Sequence, residues 1–127
     1  MRRRIPKLIL PHQVVDVRHA AGEALERAFE RSDIDATEDW LLRCHFDLAQ
    51  LWRCGEFWAV TQVVSGKCGL ILHIVAAAGE YDAALLEAME TWGRGVGCVR
   101  VVFTGRVGWL RRLQGYAMSA ITARKEL

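Results

Sequence analysis

Leu70-Ile71-Leu72-His73-Ile74-Val75-Ala76-Ala77 is followed by Ala78-Gly79-Glu80, then by a helical stretch from about 81 to 96, then by Val99-Arg100-Val101-Val102-Phe103. The two flanking runs are rich in β-branched and aliphatic residues and have the length of strands. Between them Leu85, Met89, Trp92 and Val96 recur along one helical face, Asp82, Glu87, Glu90 and Arg94 are left to solvent, and Gly97 ends the helix. A strand, a crossover helix and a strand make a β-α-β step, which sets the second strand parallel to the first and near it.

Upstream, Leu51-Trp52-Arg53-Cys54, residues 57–64 and residues 70–77 read as three antiparallel strands, because the breaks Gly55-Glu56 and Ser65-Gly66-Lys67 have hairpin-turn chemistry. Both faces of the second and third strands are largely apolar, so the sheet is expected to be covered on both sides. An antiparallel meander that turns parallel at one step opens a cleft where the order switches, the usual place for a ligand in such sheets.

Further out, Ile5-Pro6-Lys7-Leu8-Ile9-Leu10 is a short strand-like run that Pro6 and Pro11 confine to an edge. Residues 19–31 carry Ala21, Leu25, Ala28 and Phe29 at helical spacing. A second helix comes next, with Asp35 or Thr37 as cap, Glu38 and Asp39 at its positive end, and Trp40, Leu41, Cys44 and Leu48 inward. Residues 107–113 read as a helical turn or short helix and 116–125 as a last, partly exposed strand. The fold class is α+β, one domain over 1–127.

The 127 residues are 52% hydrophobic and 25% charged, the balance of one globular unit with a sizeable core. A net charge of +2 gives no argument for nucleic acid or an anionic membrane. Met1-Arg2-Arg3-Arg4 starts like a signal peptide, but Pro6, Lys7 and Pro11 interrupt the apolar run behind it, and residues 68–79 are too short to span a membrane, so a cytoplasmic protein is expected. Cys44, Cys54, Cys68 and Cys98 form no C-x-x-C pair and sit among apolar neighbours, as reduced buried thiols do. Trp52, Trp58, Trp92 and Trp109 read as core, and His12, His19 and His45 have no charged partner that the sequence places beside them. Arg106, Arg111 and Arg112 around Trp109 make a basic cluster, with Arg94 and Arg100 at unknown distance, but no base-reading motif accompanies them.

Several of these segments also stand in a familiar order. They are Gln50-Leu51-Trp52 with Phe57-Trp58-Ala59-Val60-Thr61, the strand ending Ala76-Ala77-Ala78-Gly79, and the helix Leu85-Leu86-Glu87-Ala88-Met89-Glu90-Thr91-Trp92 closing at Gly97-Cys98. Gly105-Arg106-Val107-Gly108-Trp109, Gly115-Tyr116 and a strand ending Arg124-Lys125-Glu126-Leu127 complete the set. The set resembles the GNAT superfamily, the acetyl-CoA-dependent N-acetyltransferases, and within it a small GNAT-like group of phages and prophages. The resemblance is clearest over 50–127, and the two helices ahead of it are also similar to that group.

The resemblance implies a mixed, splayed sheet that holds an acyl-CoA in its cleft, the pantetheine arm on strand backbone and the pyrophosphate at the amino end of the following helix. It thereby marks Ile74, Ala76, Gly79 and Tyr81 as cofactor-binding candidates for acetyl-CoA. His73 is the candidate general base, at a place where the family often has a carboxylate. The superfamily's phosphate loop reads Arg/Gln-x-x-Gly-x-Gly/Ala, and Ala77, Glu80 and Asp82 stand at its three specified positions. Two carboxylates there repel a pyrophosphate, while acids in a first helical turn stabilise the helix by roughly 0.3 to 1 kcal/mol each. The family's proton-donating tyrosine falls on Arg111, which can stabilise a thiolate but stays charged, and Tyr116 holds an aromatic position that packs.

The expectation is a GNAT-fold phage or prophage protein with a degenerate pyrophosphate loop and weak or no acetyltransferase activity, acting in the host cytoplasm or with the virion. The alternative is a non-catalytic interaction module that binds a phage or host protein on the same scaffold. Neither reading calls for a metal or a membrane.

Overall fold

The computed structural model describes residues 4–29, 36–104, 117–119 and 122–127. The first strand, β1 (Lys7–Ile9), is an edge strand as the prolines require. Pro11 opens a single 3-10 turn, Pro11–Gln13, in which the Gln13 side-chain oxygen accepts from the Leu10 N–H at 3.1 Å. That turn runs straight into α1 (Val14–Phe29). The helix begins at Val14 rather than near His19: Val14 and Val17 extend the Ala21, Leu25 and Phe29 stripe backward, although as β-branched residues they are weak helix signals.

The second helix, α2 (Ala36–His45), has Glu38 and Asp39 in its first turn and buries Leu41 and Cys44, as expected. Thr37 lies inside it, and Asp35 is outside the described residues. Asp47 takes a left-handed conformation at φ 60° and the Leu48 N–H donates back to the Arg43 carbonyl at 2.8 Å. Leu48 therefore leaves the helical period and is exposed rather than inward.

The meander forms as read: β2 (Gln50–Cys54), β3 (Phe57–Gly66) and β4 (Gly69–Gly79) are successive antiparallel neighbours. The second turn falls at Lys67-Cys68, closed by the Gly66–Gly69 pair, so Cys68 sits on a hairpin tip and is exposed, not buried. The crossover helix, α3 (Ala83–Gly95), returns the chain to β5 (Cys98–Thr104), parallel to β4. The expected last strand is two, β6 (Ala117–Ser119) and β7 (Thr122–Glu126), paired antiparallel. No Gly, Pro or Asn stands between 117 and 126 to announce the reversal. Among the described residues the sheet has seven strands, in the order β1-β2-β3-β4-β5-β7-β6. The helix expected at 107–113 lies outside the described residues.

Two cores cover the sheet, as its doubly apolar strands require. One lies under α3 and joins Trp52, Phe57, Leu72, Ile74, Val101 and Phe103 to Leu85 and Met89. The other lies under α1 and α2 and joins Trp58, Val60 and Ala76 to Leu25, Leu41 and Cys44. Each fully buried large aliphatic side chain contributes about 1.5–3 kcal/mol. Glu90, expected in solvent, is only 5% exposed, because Lys125 of β7 reaches across to both its carboxylate oxygens at 3.2 and 3.4 Å.

Candidate functional site: the divergence of β4 and β5

The parallel pairing between β4 and β5 ends at Ile74 and Phe103. Beyond that point β4 pairs, among the described residues, with β3 as far as Gly79, while Thr104 pairs with Thr122 of β7. At the same place β4 bulges: Val60 faces Ala76 and the next residue, Thr61, faces Ile74, leaving Val75 as the extra residue. The bulge reverses which side chains face which core. Leu72 and Ile74 point to the α3 side, and after the bulge Ala77 does so while Ala76 points to α1. A bulge, a change of face and the end of parallel pairing coincide within two residues, and among the described residues they part the strand ends.

The candidate residues occupy this region in different ways. Ile74 and Ala76 are buried in opposite cores, so they offer a ligand backbone rather than side chains. Gly79 has φ 102°, and a Cβ there would lie 1.8 Å from the Glu56 carbonyl oxygen, so the close approach of the β2–β3 turn already requires a glycine. The Tyr81 ring is half-buried, 5.7 Å from Phe57 on the α3 side. His73 lies between Leu72 and Ile74 and so points to the other face, opposite Gln62 on β3 and Val102 on β5. Burial holds its pKa below the ordinary 6.5, which keeps the imidazole neutral and able to accept a proton at neutral pH. The sheet separates it from Tyr81.

At the amino end of α3, Asp82 is the N-cap, and its Oδ1 accepts from the Ala84 N–H at 2.9 Å. Its Oδ2 accepts from the Cys54 thiol at 3.4 Å; burial, and after it this bond, push that thiol's pKa up. The positive end of the helix dipole is thus met by the chain's own carboxylate. Glu80 lies ahead of the helix, not in its first turn, and pairs with Arg4 at 3.0 Å. Arg4 also covers the β2–β3 turn, its Cδ at 2.8 Å from where a Gly55 Cβ would stand. A diphosphate arriving here must displace Asp82 from Ala84 and face Glu80 as well.

Arg4 and Cys54 are the participants that sequence reasoning did not place. Arg4 reads as part of a basic terminus and Cys54 as a buried thiol, and only the fold brings them to α3. Trp52 and Trp58 are core, and Trp92 stacks edge-on to Trp52 at 5.8 Å. His19 does find a charged partner, Glu23, one turn along the exposed face of α1 at 3.1 Å. Arg100 is tied to Glu126 at 2.6 Å and so is spent inside the sheet. Arg106, Trp109, Arg111, Arg112, Gly115 and Tyr116 lie outside the described residues. Among the described residues no three His, Cys, Asp or Glu side chains are grouped to hold a metal, and no helix is long and apolar enough to cross a membrane. No family model matches the chain, and no curated protein is found similar to it.

Proposed function

We propose that this chain is a GNAT-like domain, of the kind resembled by the phage and prophage group, whose cleft between β4 and β5 receives an acyl-CoA thioester weakly. The observation that carries this is the parting of β4 from β5 beyond Ile74 and Phe103, next to a helix that starts directly after β4. The β4 backbone from Val75 onward would hold the pantetheine arm and neutral His73 would take a proton from an acceptor amine. The carboxylates of Asp82 and Glu80 oppose the pyrophosphate, so acetyl transfer is slow or absent.

Calorimetric titration with acetyl-CoA tests this. Binding in the millimolar range is expected, tightened about tenfold, or 1.4 kcal/mol, in the double variant Asp82→Asn, Glu80→Gln. No heat from either protein at millimolar ligand would remove the reading.

A second reading, a non-catalytic interaction module, is favoured by large apolar side chains left in solvent around α1 and α2: Leu10, Val15, Leu42, Phe46 and Leu48. Pull-down of a phage or host protein that is lost on Leu42→Arg would support it. An identical pull-down with that variant would count against it.

A further inference from the structure

We propose that the cleft between β1 and the first turns of α1 binds a small amphoteric molecule, an α-amino acid with an apolar side chain, independently of any acyl-CoA binding. The cleft has a volume of about 630 Å³, within the range of small-ligand sites. It lies at the β1 edge of the sheet, with β2 and β3 between it and β4. Ile9 of β1 and Val17 of α1 are half-buried and give it an apolar floor.

The charges of this cleft select the ligand, because they do not all cancel within the protein. Arg4 pairs with Glu80 at 3.0 Å, and Arg53 reaches Glu56 at 4.0 Å. One charge of each sign is left: among the described residues Lys7 and Asp16 make no ion pair, either with each other or with another group. The ammonium comes from a strand and the carboxylate from a helix, so the backbone holds them on two walls of one cleft. On the strand wall Lys7 is directly opposite Arg53 in the β1–β2 register, a like-charge pair that a sheet disfavours and that an anion relieves. Arg53 is not free to swing away, since its guanidinium lies over the Trp58 ring at 4.6 Å and its Nε donates to the Gly55 carbonyl at 3.0 Å. With Glu56 counted, this wall still carries an excess positive charge. The ligand's carboxylate therefore goes to Lys7 beside Arg53, its ammonium to Asp16, and its side chain onto Ile9 and Val17. A simple anion would leave Asp16 without a partner, and a simple amine would leave Lys7 without one.

Titration of the full chain with L-leucine, followed by the backbone amide shifts of an ¹⁵N-labelled sample, tests this. Saturable shifts at Lys7, Ile9 and Val17 are expected, with a dissociation constant of about 1 mM. Leucinamide lacks the carboxylate and 4-methylpentanoate lacks the amine, so each should bind about tenfold more weakly or worse, the loss of one charge-assisted contact. Lys7→Met and Asp16→Asn, both at exposed positions, should each weaken L-leucine to the same degree while circular dichroism shows an unchanged fold. No saturable shift at these residues overturns the proposal. So does 4-methylpentanoate or leucinamide binding as tightly as L-leucine, which would make the cleft a plain anion or amine site, and so does L-leucine binding that survives either variant.

Discussion

The Cys54 thiol donates to Asp82 Oδ2 at 3.4 Å while the other carboxylate oxygen of Asp82 caps α3 through the Ala84 N–H at 2.9 Å. One side chain therefore ties the end of β2 to the start of the crossover helix. Its geometry decides how much of the site is structure and how much is open to a ligand. Asp82→Ala removes the cap and should cost about 1 kcal/mol of stability. Asp82→Asn keeps the acceptor for Ala84 and should cost less than half of that. Urea denaturation of the three proteins checks this, and equal losses for Ala and Asn would show that the charge rather than the cap matters.

Gly79 and Gly22 make a matched pair of opposite sign. A Cβ on Gly79 meets the Glu56 carbonyl at 1.8 Å on a backbone with φ 102°, so Gly79→Ala needs both strain and displacement of the β2–β3 turn. A loss of about 3 kcal/mol or more is expected from those two terms together. Gly22 lies within α1 with nothing inside 4 Å of its Cβ position, and Gly22→Ala should add about 0.5–1 kcal/mol. Thermal melts of both variants report the two signs side by side.

The β-α-β step and the meander were legible because their signals are local. Gly55-Glu56 marks a turn, the Leu85-Met89-Trp92 stripe has one period, and the doubly apolar strands demand two covers. The bulge at Val75 was not legible, because in Ile74-Val75-Ala76-Ala77 every residue is apolar and no alternation exists to be broken. Arg4 and Glu80 meet across 76 residues, and Lys125 reaches Glu90 across 35, so no local pattern announces either contact. Leu48 departs from expectation because the helical period does not run past Asp47, where one left-handed residue ends it. The candidate site was legible as a place and not as a chemistry: the switch of strand order located it, while its partners Arg4 and Cys54 came from the amino terminus and from β2, both distant in sequence from α3.

The four cysteines should separate by position rather than by number. Cys68 is exposed on the β3–β4 tip, while Cys44, Cys54 and Cys98 are buried. Burial pushes the Cys44 thiol up to about 12 and raises those of Cys54 and Cys98, so none of the three supplies thiolate at neutral pH. One thiol should react promptly with an aromatic disulfide reagent in the native protein and four in denaturant. Cys68→Ser should abolish the fast phase; a fast phase that persists would place another cysteine at the surface.

Lys125 should matter more than an ordinary surface lysine. It bonds both oxygens of a glutamate that is nearly fully buried between α3 and the sheet. Lys125→Met takes away the cation and leaves that carboxylate in a low-dielectric site, a loss of about 3 kcal/mol, the low end of the range because the ammonium is part-exposed. Adding Glu90→Leu should recover most of the loss, since an apolar pair of similar size needs no compensation. A double-mutant cycle in guanidinium measures this, and a double variant no more stable than Lys125→Met would mean that Glu90 is held by its other contacts.

Burial lowers the His73 pKa, and this fixes the sign of a pH effect. In the unfolded chain the imidazole titrates near the ordinary value of about 6.5. The native protein takes up that proton only at lower pH, so below about 6.5 the unfolded state binds more protons and stability falls as pH falls, down to the native pKa. The contribution is fully present above 6.5 and is lost on the acid side. His73→Gln has no proton to take up, and its stability should lack this part of the slope between about pH 6.5 and 5, before the carboxylates titrate. Measuring the urea midpoint of both proteins at half-unit intervals shows the difference directly. The same direction governs the proposed chemistry: a base that stays neutral below pH 6.5 keeps accepting protons there, so any activity should hold its plateau further to the acid side than a free imidazole allows. Identical slopes in the two proteins would mean that His73 is as well solvated when folded as when unfolded.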